Sequence, residues 1–435
     1  MRNAGNHKQA ARRSFRIAAV AGSAVLLLAV SACAGSSDAG SGGASASTTA
    51  PTKSKVETLL GPVNKATGST IKLGFISDGA TDAFDNTSEL DAAKASVDYF
   101  NEHQAGVAGH KVELETCTTG GDPAGATDCG NQLVQKNVAA VALAQSAVAE
   151  SAWEPINKAK IPMFIMAANG DSILKSPNYT YVVYDGTSAL FSLPFSVAKQ
   201  QKVKKLAFVV IDVPQAVAVF ESTGPAAMKK AGLDYVLVKV PAGTADMTPQ
   251  MQEVASSGAG LVHVIGNDAF CIAAFQGLQA VAYDGTVTSI TQCITDATRK
   301  SAPPEILDGM YVTATAAVGA SDDPSYQLYD AIMRTFAPDT KLIDDSITMQ
   351  AYGAMSGLLT SLQGVKGDVT PDTANTAIKT MKLSEYPGAA GLKYQCGAGQ
   401  SKNYPVTVCT NQTLQAQLDS KGRPTKYTVG EPFES

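Results

Sequence analysis

In 71-IKLGFISDG-79, an apolar run of strand length ends in a polar turn, and this pattern sets the start of an α/β alternation. The first six residues of this stretch include the β-branched and aromatic side chains that strands favour. A second strand-like run follows at residues 112–116, and the apolar side chains between the two runs recur at helical spacing: Leu90, Ala93, Val97 and Phe100. This alternation of strand and helix predicts an α/β fold built on a doubly wound parallel sheet.

The same alternation occurs twice along the chain. Asp122 followed by Pro123 predicts a helix start in the first series. Further strand-like runs lie at residues 138–143, 163–166, 206–211, 235–240, 261–265, 287–290 and 311–314. Helical patterns of the second series lie at 189–200, 219–231, 247–256 and 269–280. Two series of similar size predict two lobes. Three later helices, near 324–336, 346–363 and 371–381, are expected to pack back on the first lobe, and residues 392–408 are expected to form a hairpin.

The N-terminal segment has the layout of an export signal. Five basic residues and no acid precede an apolar run at 17–30, which is shorter than the roughly 20 residues a membrane span needs. The sequence Val30-Ser31-Ala32-Cys33 resembles a bacterial lipobox, which implies lipidation of Cys33. An ordinary signal peptide with a chance cysteine is the alternative. Arg12-Arg13 leaves the twin-arginine and general export routes both open. The Gly/Ser-rich residues that follow predict a flexible tether.

Composition excludes a nucleic-acid-binding role. The 435 residues include 34 basic and 39 acidic ones, and five of the basic ones precede residue 33. Without that segment, 29 basic residues oppose 39 acidic ones, a net charge of about −10. Phosphate binding needs a clustered basic face. Beyond the N-terminal segment, the basic run at 202–205 is expected to be a solvated helix end.

The cysteines also indicate export. Apart from Cys33, six cysteines fall into three close pairs along the chain. Six cysteines allow 15 connectivities, and closing the shortest loops costs the least entropy. The expected disulfides are Cys117–Cys129, Cys271–Cys293 and Cys396–Cys409. A metal site is the alternative, but no pair has CxxC spacing and histidine is scarce.

Several stretches together resemble the leucine/isoleucine/valine-binding family of ABC-transporter substrate-binding proteins. Besides residues 71–79, they are LDAAKASVDYFNEHQAGVAGHKVELETCTTGGDPAGATDCGNQLV (90–134), VAAVALAQSA (138–147), KIPMFIMAANG (160–170) and KKLAFVVID (204–212). The resemblance implies a type I periplasmic binding protein-like fold, with two doubly wound parallel-sheet lobes joined by a multi-strand hinge.

The expected division of the chain has six parts. They are an export signal over residues 1–32, a lipidated cysteine and flexible tether over 33–69, the first part of lobe 1 over 70–186, lobe 2 over 187–312, a return segment of lobe 1 over 313–385, and a C-terminal hairpin and tail of lobe 2 over 386–435. The expected hinge segments are 184–187, 312–315 and 386–392.

Candidate ligand-binding residues follow the ends of the predicted strands, where open α/β sheets bind ligands. In lobe 1 they are Asp78, Phe84, Ser146, Ala147, Ala168 and Asn169; in lobe 2 they are Gln215, Asn267 and Asp268. Helix N-termini there suit a carboxylate, with the hydroxyl of Ser146 as a donor. The resemblance implies that Asp268 pairs with a ligand ammonium group.

Structural roles are the alternatives for these residues. Ser146 and Asp268 also fit helix caps, and Asn169 also fits a turn. The chain departs from the family pattern in two places. SDGATDAF at 77–84 stands where the family often has GPlTG, and Ala216 stands where a tyrosine is common. Both departures leave the ligand open among amino acids, amides, urea, aromatic acids and other small metabolites.

No enzyme signature is present. The sequence contains no GxSxG, P-loop, HExxH or GxGxxG motif. We expect no catalytic residues, no cofactor and no metal. The resemblance implies a monomeric lipoprotein on the outer face of the cell membrane that binds a small solute and delivers it to ABC permease subunits. A ligand-sensing or surface receptor that uses the same cleft is the alternative.

Overall fold

The computed structural model describes residues 53–81, 85–168, 171–340, 346–401 and 404–430. Its strands are β1 Gly68–Ser77, β2 His110–Thr118, β3 Val141–Leu143, β4 Met163–Ala168, β5 Thr180–Asp185, β6 Lys205–Ile211, β7 Asp234–Val240, β8 Leu261–Ile265, β9 Thr286–Ile290, β10 Tyr311–Ala314, β11 Ser384–Glu385, β12 Lys393–Tyr394, β13 Val408–Thr410, β14 Thr413–Leu418 and β15 Pro424–Gly430.

The helices lie between these strands. They are α1 Lys53–Leu60, α2 Ser88–His103, α3 Pro123–Gln135, α4 Ala149–Lys158, α5 Asp171–Leu174, α6 Gly186–Gln201, α7 Pro214–Ser222, α8 Gly224–Ala231, α9 Thr248–Ser256, α10 Asp268–Ala280, α11 Asp296–Ser301, α12 Pro304–Leu307, α13 Pro324–Phe336, α14 Ser346–Ser361 and α15 Pro371–Lys379. Short 3₁₀ turns lie at Thr291–Cys293 and Leu362–Gly364.

Six of the described strands form the sheet of lobe 1, in the spatial order β13–β5–β4–β3–β1–β2. Every neighbouring pair in this sheet is parallel. The order reverses between β3 and β1. The connection from β1 leads to β2 on one side, and the later strands are added on the other side. A parallel sheet with such a reversal has a crevice beyond the carboxyl ends of the two strands. The loops after β1 and β3 line that crevice.

The sheet of lobe 2 has seven described strands, in the order β15–β14–β10–β9–β8–β6–β7. The pairs β7–β6, β6–β8, β8–β9 and β9–β10 are parallel, and β14 and β15 add antiparallel strands at the β10 edge. This order reverses between β8 and β6. Both lobes are therefore doubly wound parallel sheets, and each has one reversal point.

Helices α13 and α14 return to lobe 1, as the sequence predicts. Both pack against α2, and α14 also contacts β3 and β4. Almost every residue of α14 is buried, which fits its mainly apolar and small residues. Asp122 caps α3 as predicted, because its carboxylate accepts hydrogen bonds from the N–H groups of Ala124 and Gly125, and Pro123 begins the helix.

The chain passes between the two sheets at three places within the described residues. These are the end of β5 before α6, the segment between β10 and α13, and residues 411–412 between β13 and β14. The first two lie at or next to the predicted hinge segments. The third prediction, residues 386–392, is wrong, because Tyr386 is buried against Gly353 and Gly357 of α14 in lobe 1.

Three other expectations need correction. The strand Val408–Thr410 pairs in parallel with β5, and Lys393–Tyr394 pairs with Ser384–Glu385. The described residues of 392–408 therefore do not pair as the expected hairpin, and the start of 386–435 lies in lobe 1. The flexible tether ends before residue 69, because α1 packs on α13 with Leu60 buried. The helix predicted at 219–231 is two helices that meet at Thr223, just before Pro225, whose nitrogen has no hydrogen to donate.

All three predicted disulfides are present: Cys117–Cys129, Cys271–Cys293 and Cys396–Cys409. The first links β2 to α3, the second links α10 to the turn after β9, and the third links the end of β12 to β13. Each therefore joins two segments that are close in sequence but belong to different elements. Across the described ranges, the helices are all too short or too polar to cross a membrane.

Candidate functional site

The candidate site lies at the reversal points of the two sheets. In lobe 1, Asp78 follows β1 and Ser146 lies in the loop between β3 and α4. In lobe 2, Asp212 follows β6, and Asn267 follows β8. These are the positions where open parallel sheets accept ligands. The site predicted from the sequence therefore lies at the carboxyl edge of each sheet.

Asp78 is the centre of the lobe 1 group. Its side chain is 1% exposed. Its Oδ1 accepts hydrogen bonds from the hydroxyls of Thr119 at 2.6 Å and Ser146 at 2.7 Å. Its Oδ2 accepts a longer one, 3.3 Å, from the N–H of Ala147. One buried carboxylate thus joins the loops after β1, β2 and β3.

This arrangement changes the role expected for Ser146. We predicted that its hydroxyl would donate to a ligand, but the hydroxyl hydrogen goes to Asp78. The oxygen of the same hydroxyl accepts the N–H of Val148 at 3.1 Å, just before α4. Ser146 is therefore not the helix cap that was its structural alternative, because Val148 holds the cap position of α4. Its hydroxyl fixes a buried carboxylate.

Close backbone contact holds the Thr119 loop in place. A Cβ on Gly125 would lie 2.2 Å from the carbonyl oxygen of Thr119, so only glycine allows α3 to approach this loop. Thr119 Oγ1 also accepts the N–H of Gly121 at 3.0 Å. The hydroxyl that contacts Asp78 is therefore fixed by the loop and by the helix behind it.

A second buried acid, Glu89, lies behind Asp78 in the first turn of α2. Its Oε2 lies 2.5 Å from Ser77 Oγ, and the residue is 2% exposed. Burial raises the pKa of Glu89 to about 8. The hydrogen bond from Ser77 lowers this pKa in part, and the charge of Asp78 adds a smaller increase. Glu89 is thus largely protonated at neutral pH, and it adds no full negative charge beside Asp78.

In lobe 2, Asn267 and Asp268 start α10. The side-chain oxygen of Asn267 accepts the N–H of Phe270 at 3.0 Å, so Asn267 is the helix cap. Asp268 is the first helical residue, and its Oδ2 accepts the hydroxyl of Thr295 at 3.3 Å. The Cys271–Cys293 disulfide links the first turn of α10 to the 3₁₀ turn at Thr291–Cys293. Asp268 keeps a half-buried carboxylate at the reversal point.

The remaining candidates differ in what the structure says of them. Ala168 ends β4, is 7% exposed and pairs with Asp185 of β5, so backbone groups are what it offers to a ligand. Gln215 lies in the first turn of α7, and its side chain is not among those described. Phe84, Asn169 and Cys33 lie outside the described residues.

Sequence reasoning missed Thr119, Glu89 and Thr295. Thr119 directly follows β2, so the strand-end rule that found Asp78 also applies to it. Glu89 gave no signal, because an acid in the first turn of a helix is normally an exposed residue that favours the helix dipole. Thr295 caps α11 and contacts Asp268 from there, a contact that only the tertiary fold creates.

The site offers hydrogen-bond acceptors and donors but no described metal-binding group. No set of three or more His, Cys, Asp or Glu side chains in the described part of the chain could hold a metal ion. His263 in β8 is fully buried, and burial lowers its pKa to about 3. It therefore stays neutral inside lobe 2.

Comparison with known proteins agrees with this architecture. A family model described as "Periplasmic binding protein" matches residues 70–410. The branched-chain amino acid transporter substrate binding protein from Streptococcus pneumoniae, solved with isoleucine, is 17% identical with a TM-score of 0.60, over 83% of this chain and 100% of that one. The fatty acid ABC transporter substrate-binding protein from Thermomonospora curvata is 18% identical with a TM-score of 0.61, over 86% and 95%.

A third solved structure is the solute binding protein of an ABC transporter from Rhodopseudomonas palustris, in complex with p-hydroxybenzoic acid. It is 22% identical with a TM-score of 0.59, over 83% of this chain and 98% of that one. A search of curated proteins gave no match. Because the family model covers well over half of the sequence and agrees with the two-lobed fold, the chain belongs to the periplasmic binding protein family.

Proposed function

We propose that the protein is the extracytoplasmic solute-binding component of an ABC importer. It binds one small polar metabolite, an amino acid, an amide or a related compound, between its two lobes. The observation that carries this proposal is the pair of sheet reversal points, each with polar side chains at the carboxyl ends of its strands. The similar solved structures include a branched-chain amino acid transporter protein in complex with isoleucine, a fatty acid ABC transporter protein and a solute binding protein in complex with p-hydroxybenzoic acid.

The mechanism that we propose is closure of the lobes around the solute. The chain crosses between the sheets at the end of β5, between β10 and α13, and at 411–412. Small changes of backbone angle at three short crossings can move two rigid lobes without disturbing either core. A solute that contacts both lobes would favour the closed form, which the permease subunits would recognise.

The lobe 2 contact that we propose is Asp268 with a ligand ammonium group. Its carboxylate is half-buried and accepts a hydrogen bond from Thr295, and the Cys271–Cys293 disulfide ties the first turn of α10 to the segment that carries Thr295. Partial burial strengthens a charge pair relative to bulk water. Ala168 would contribute backbone groups from lobe 1.

The membrane attachment belongs to the same proposal. Cys33 would carry the lipid, and the residues between it and α1 would form the tether that holds the lobes near the permease. The disulfides support an oxidising location outside the cytosol. Metabolic labelling with an alkyne fatty acid tests this part, since Cys33→Ser should abolish the label. A variant that keeps the label would contradict the anchor.

A thermal-shift screen of the purified protein tests the solute-binding function. The library should contain amino acids, their amides, amines and aromatic acids. A solute at 100 times its Kd stabilises the folded state by about 2.7 kcal/mol, which raises Tm by several degrees. Calorimetry should then give one solute per chain. A library without any stabilising compound would contradict the proposal.

A further inference from the structure

The donors at the lobe 1 reversal point are already used by the protein. The hydroxyls of Thr119 and Ser146 and the N–H of Ala147 all point at the carboxylate of Asp78. These groups lie where the start of α4 would otherwise attract an anion. The anion that they hold is part of the chain itself.

Asp78 has no described positive partner. Among the described residues, none of the ion pairs includes Asp78. Its three hydrogen bonds satisfy the carboxylate, but its charge is not neutralised by any of them. A second carboxylate brought to the same donors would therefore meet an uncompensated like charge in a region of limited solvent.

The surrounding loops strengthen this effect. The described residues of the loops after β1, β2 and β3, which are 78–81, 85–87, 119–122 and 144–148, contain three aspartates and no lysine or arginine. Lysines lie in loops at the opposite edge of the sheets, at Lys136, Lys160 and Lys202. The field at the carboxyl edge of lobe 1 therefore disfavours an anionic group and favours a neutral or positive one.

We propose that Asp78 determines specificity by occupying the anion position of lobe 1, so that the ligand presents a hydrogen-bond donor there and not a free carboxylate. The donor is a carboxamide, an ammonium or a hydroxyl group. This inference rests on the proposed solute-binding function and narrows its ligand class.

Matched compounds test the inference by calorimetry. The probes are three pairs in which a carboxylate is replaced with a carboxamide: leucine and leucinamide, 4-hydroxybenzoate and 4-hydroxybenzamide, and butyrate and butyramide. We expect the carboxamide of at least one pair to bind at least tenfold more tightly than its carboxylate partner. Tighter or equal binding of the carboxylates overturns the inference while the solute-binding function stands. Absence of binding by all six probes and by the thermal-shift library overturns both.

Two variants assign the preference to the charge of Asp78. Asp78→Asn keeps the size of the side chain and removes its charge, so the carboxamide preference should shrink at least fivefold. Ser146→Ala removes one donor and keeps the charge, so the preference should remain. An unchanged preference in folded Asp78→Asn overturns the assignment. Circular dichroism shows whether Asp78→Asn folds. If it does not, the wild-type pairs and Ser146→Ala are the test. Loss of the carboxamide preference in Ser146→Ala then contradicts its assignment to the charge of Asp78.

Discussion

Ser146 donates its hydroxyl hydrogen to Asp78 across 2.7 Å, and this contact joins the loops that follow two adjacent strands of lobe 1. The loops meet at the point where the strand order reverses. A carboxylate that is 1% exposed depends on such donors, because an unsatisfied buried charge is strongly destabilising. The contact therefore contributes to the stability of lobe 1 as well as to the shape of the site.

Ser146→Ala should lower the free energy of unfolding by about 1.5–3 kcal/mol, the typical contribution of a hydrogen bond to a charged group. Urea denaturation of the ligand-free protein measures this. Ser222→Ala, at an exposed position near the end of α7, is the matched control and should change the value by less than about 0.5 kcal/mol. Equal effects of the two substitutions would contradict the role assigned to Ser146.

Glu89 makes the stability of lobe 1 depend on pH. Its pKa is about 8 in the folded protein and about 4.3 in an unfolded chain. Between these values the folded state holds a proton that the unfolded state has lost, so the stabilisation from Glu89 falls as pH rises and is fully lost above about 8. The Tm of wild type minus the Tm of Glu89→Gln should therefore decrease from pH 5 to pH 8.

Differential scanning calorimetry at several pH values measures this difference. Other groups titrate in both proteins, and subtraction of the Glu89→Gln curve removes their contribution. A constant difference across the range would show that Glu89 is already ionised at neutral pH, contrary to the structure.

Gly357 allows two aromatic rings to pack against α14. A Cβ at this position would lie 3.0 Å from Tyr386 Cε2 and 3.1 Å from Phe164 Cε1. Gly357→Ala should therefore destabilise the protein by about 1–3 kcal/mol, because both rings are buried and have little room to move. Gly364→Ala, with no heavy atom within 4 Å of its added Cβ, is the control. We expect it to have little effect in the same denaturation experiment.

Asp268→Ala should weaken binding of an ammonium-bearing solute at least tenfold, since it removes the half-buried carboxylate of lobe 2. Calorimetry of the solute identified by thermal shift measures the change in Kd. Asp284→Ala is the control, because Asp284 is exposed and precedes β9 at the opposite edge of the same sheet. Unchanged affinity in Asp268→Ala would remove Asp268 from the site.

The sequence predicted the features that local patterns determine. The apolar runs identified the strands from β6 to β10, Asp122-Pro123 identified the start of α3, and the spacing of cysteines identified the disulfides. These features depend on neighbours within a few residues to a few tens of residues. Strand ends then indicated Asp78, Ser146 and Asp268 as residues at the carboxyl edges.

The features that the sequence did not predict depend on distant contacts. Residues 392–408 have the alternation and glycines of a hairpin, yet Val408–Thr410 adds to the edge of lobe 1 because β5 offers it an unpaired strand. Ser146 and Asp78 are 68 residues apart, and only the parallel pairing of β1 and β3 brings them together. The sequence of α1 likewise does not show by itself that this helix packs on α13 with Leu60 buried.

Calorimetric titration of variants from both lobes shows whether one solute lies between the two lobes. With the solute that gives the largest thermal shift, wild type should bind one molecule per chain. Asp78→Asn in lobe 1 and Asp268→Ala in lobe 2 should each change Kd at least tenfold. Unchanged Kd in both folded variants would show that the solute does not lie between the lobes.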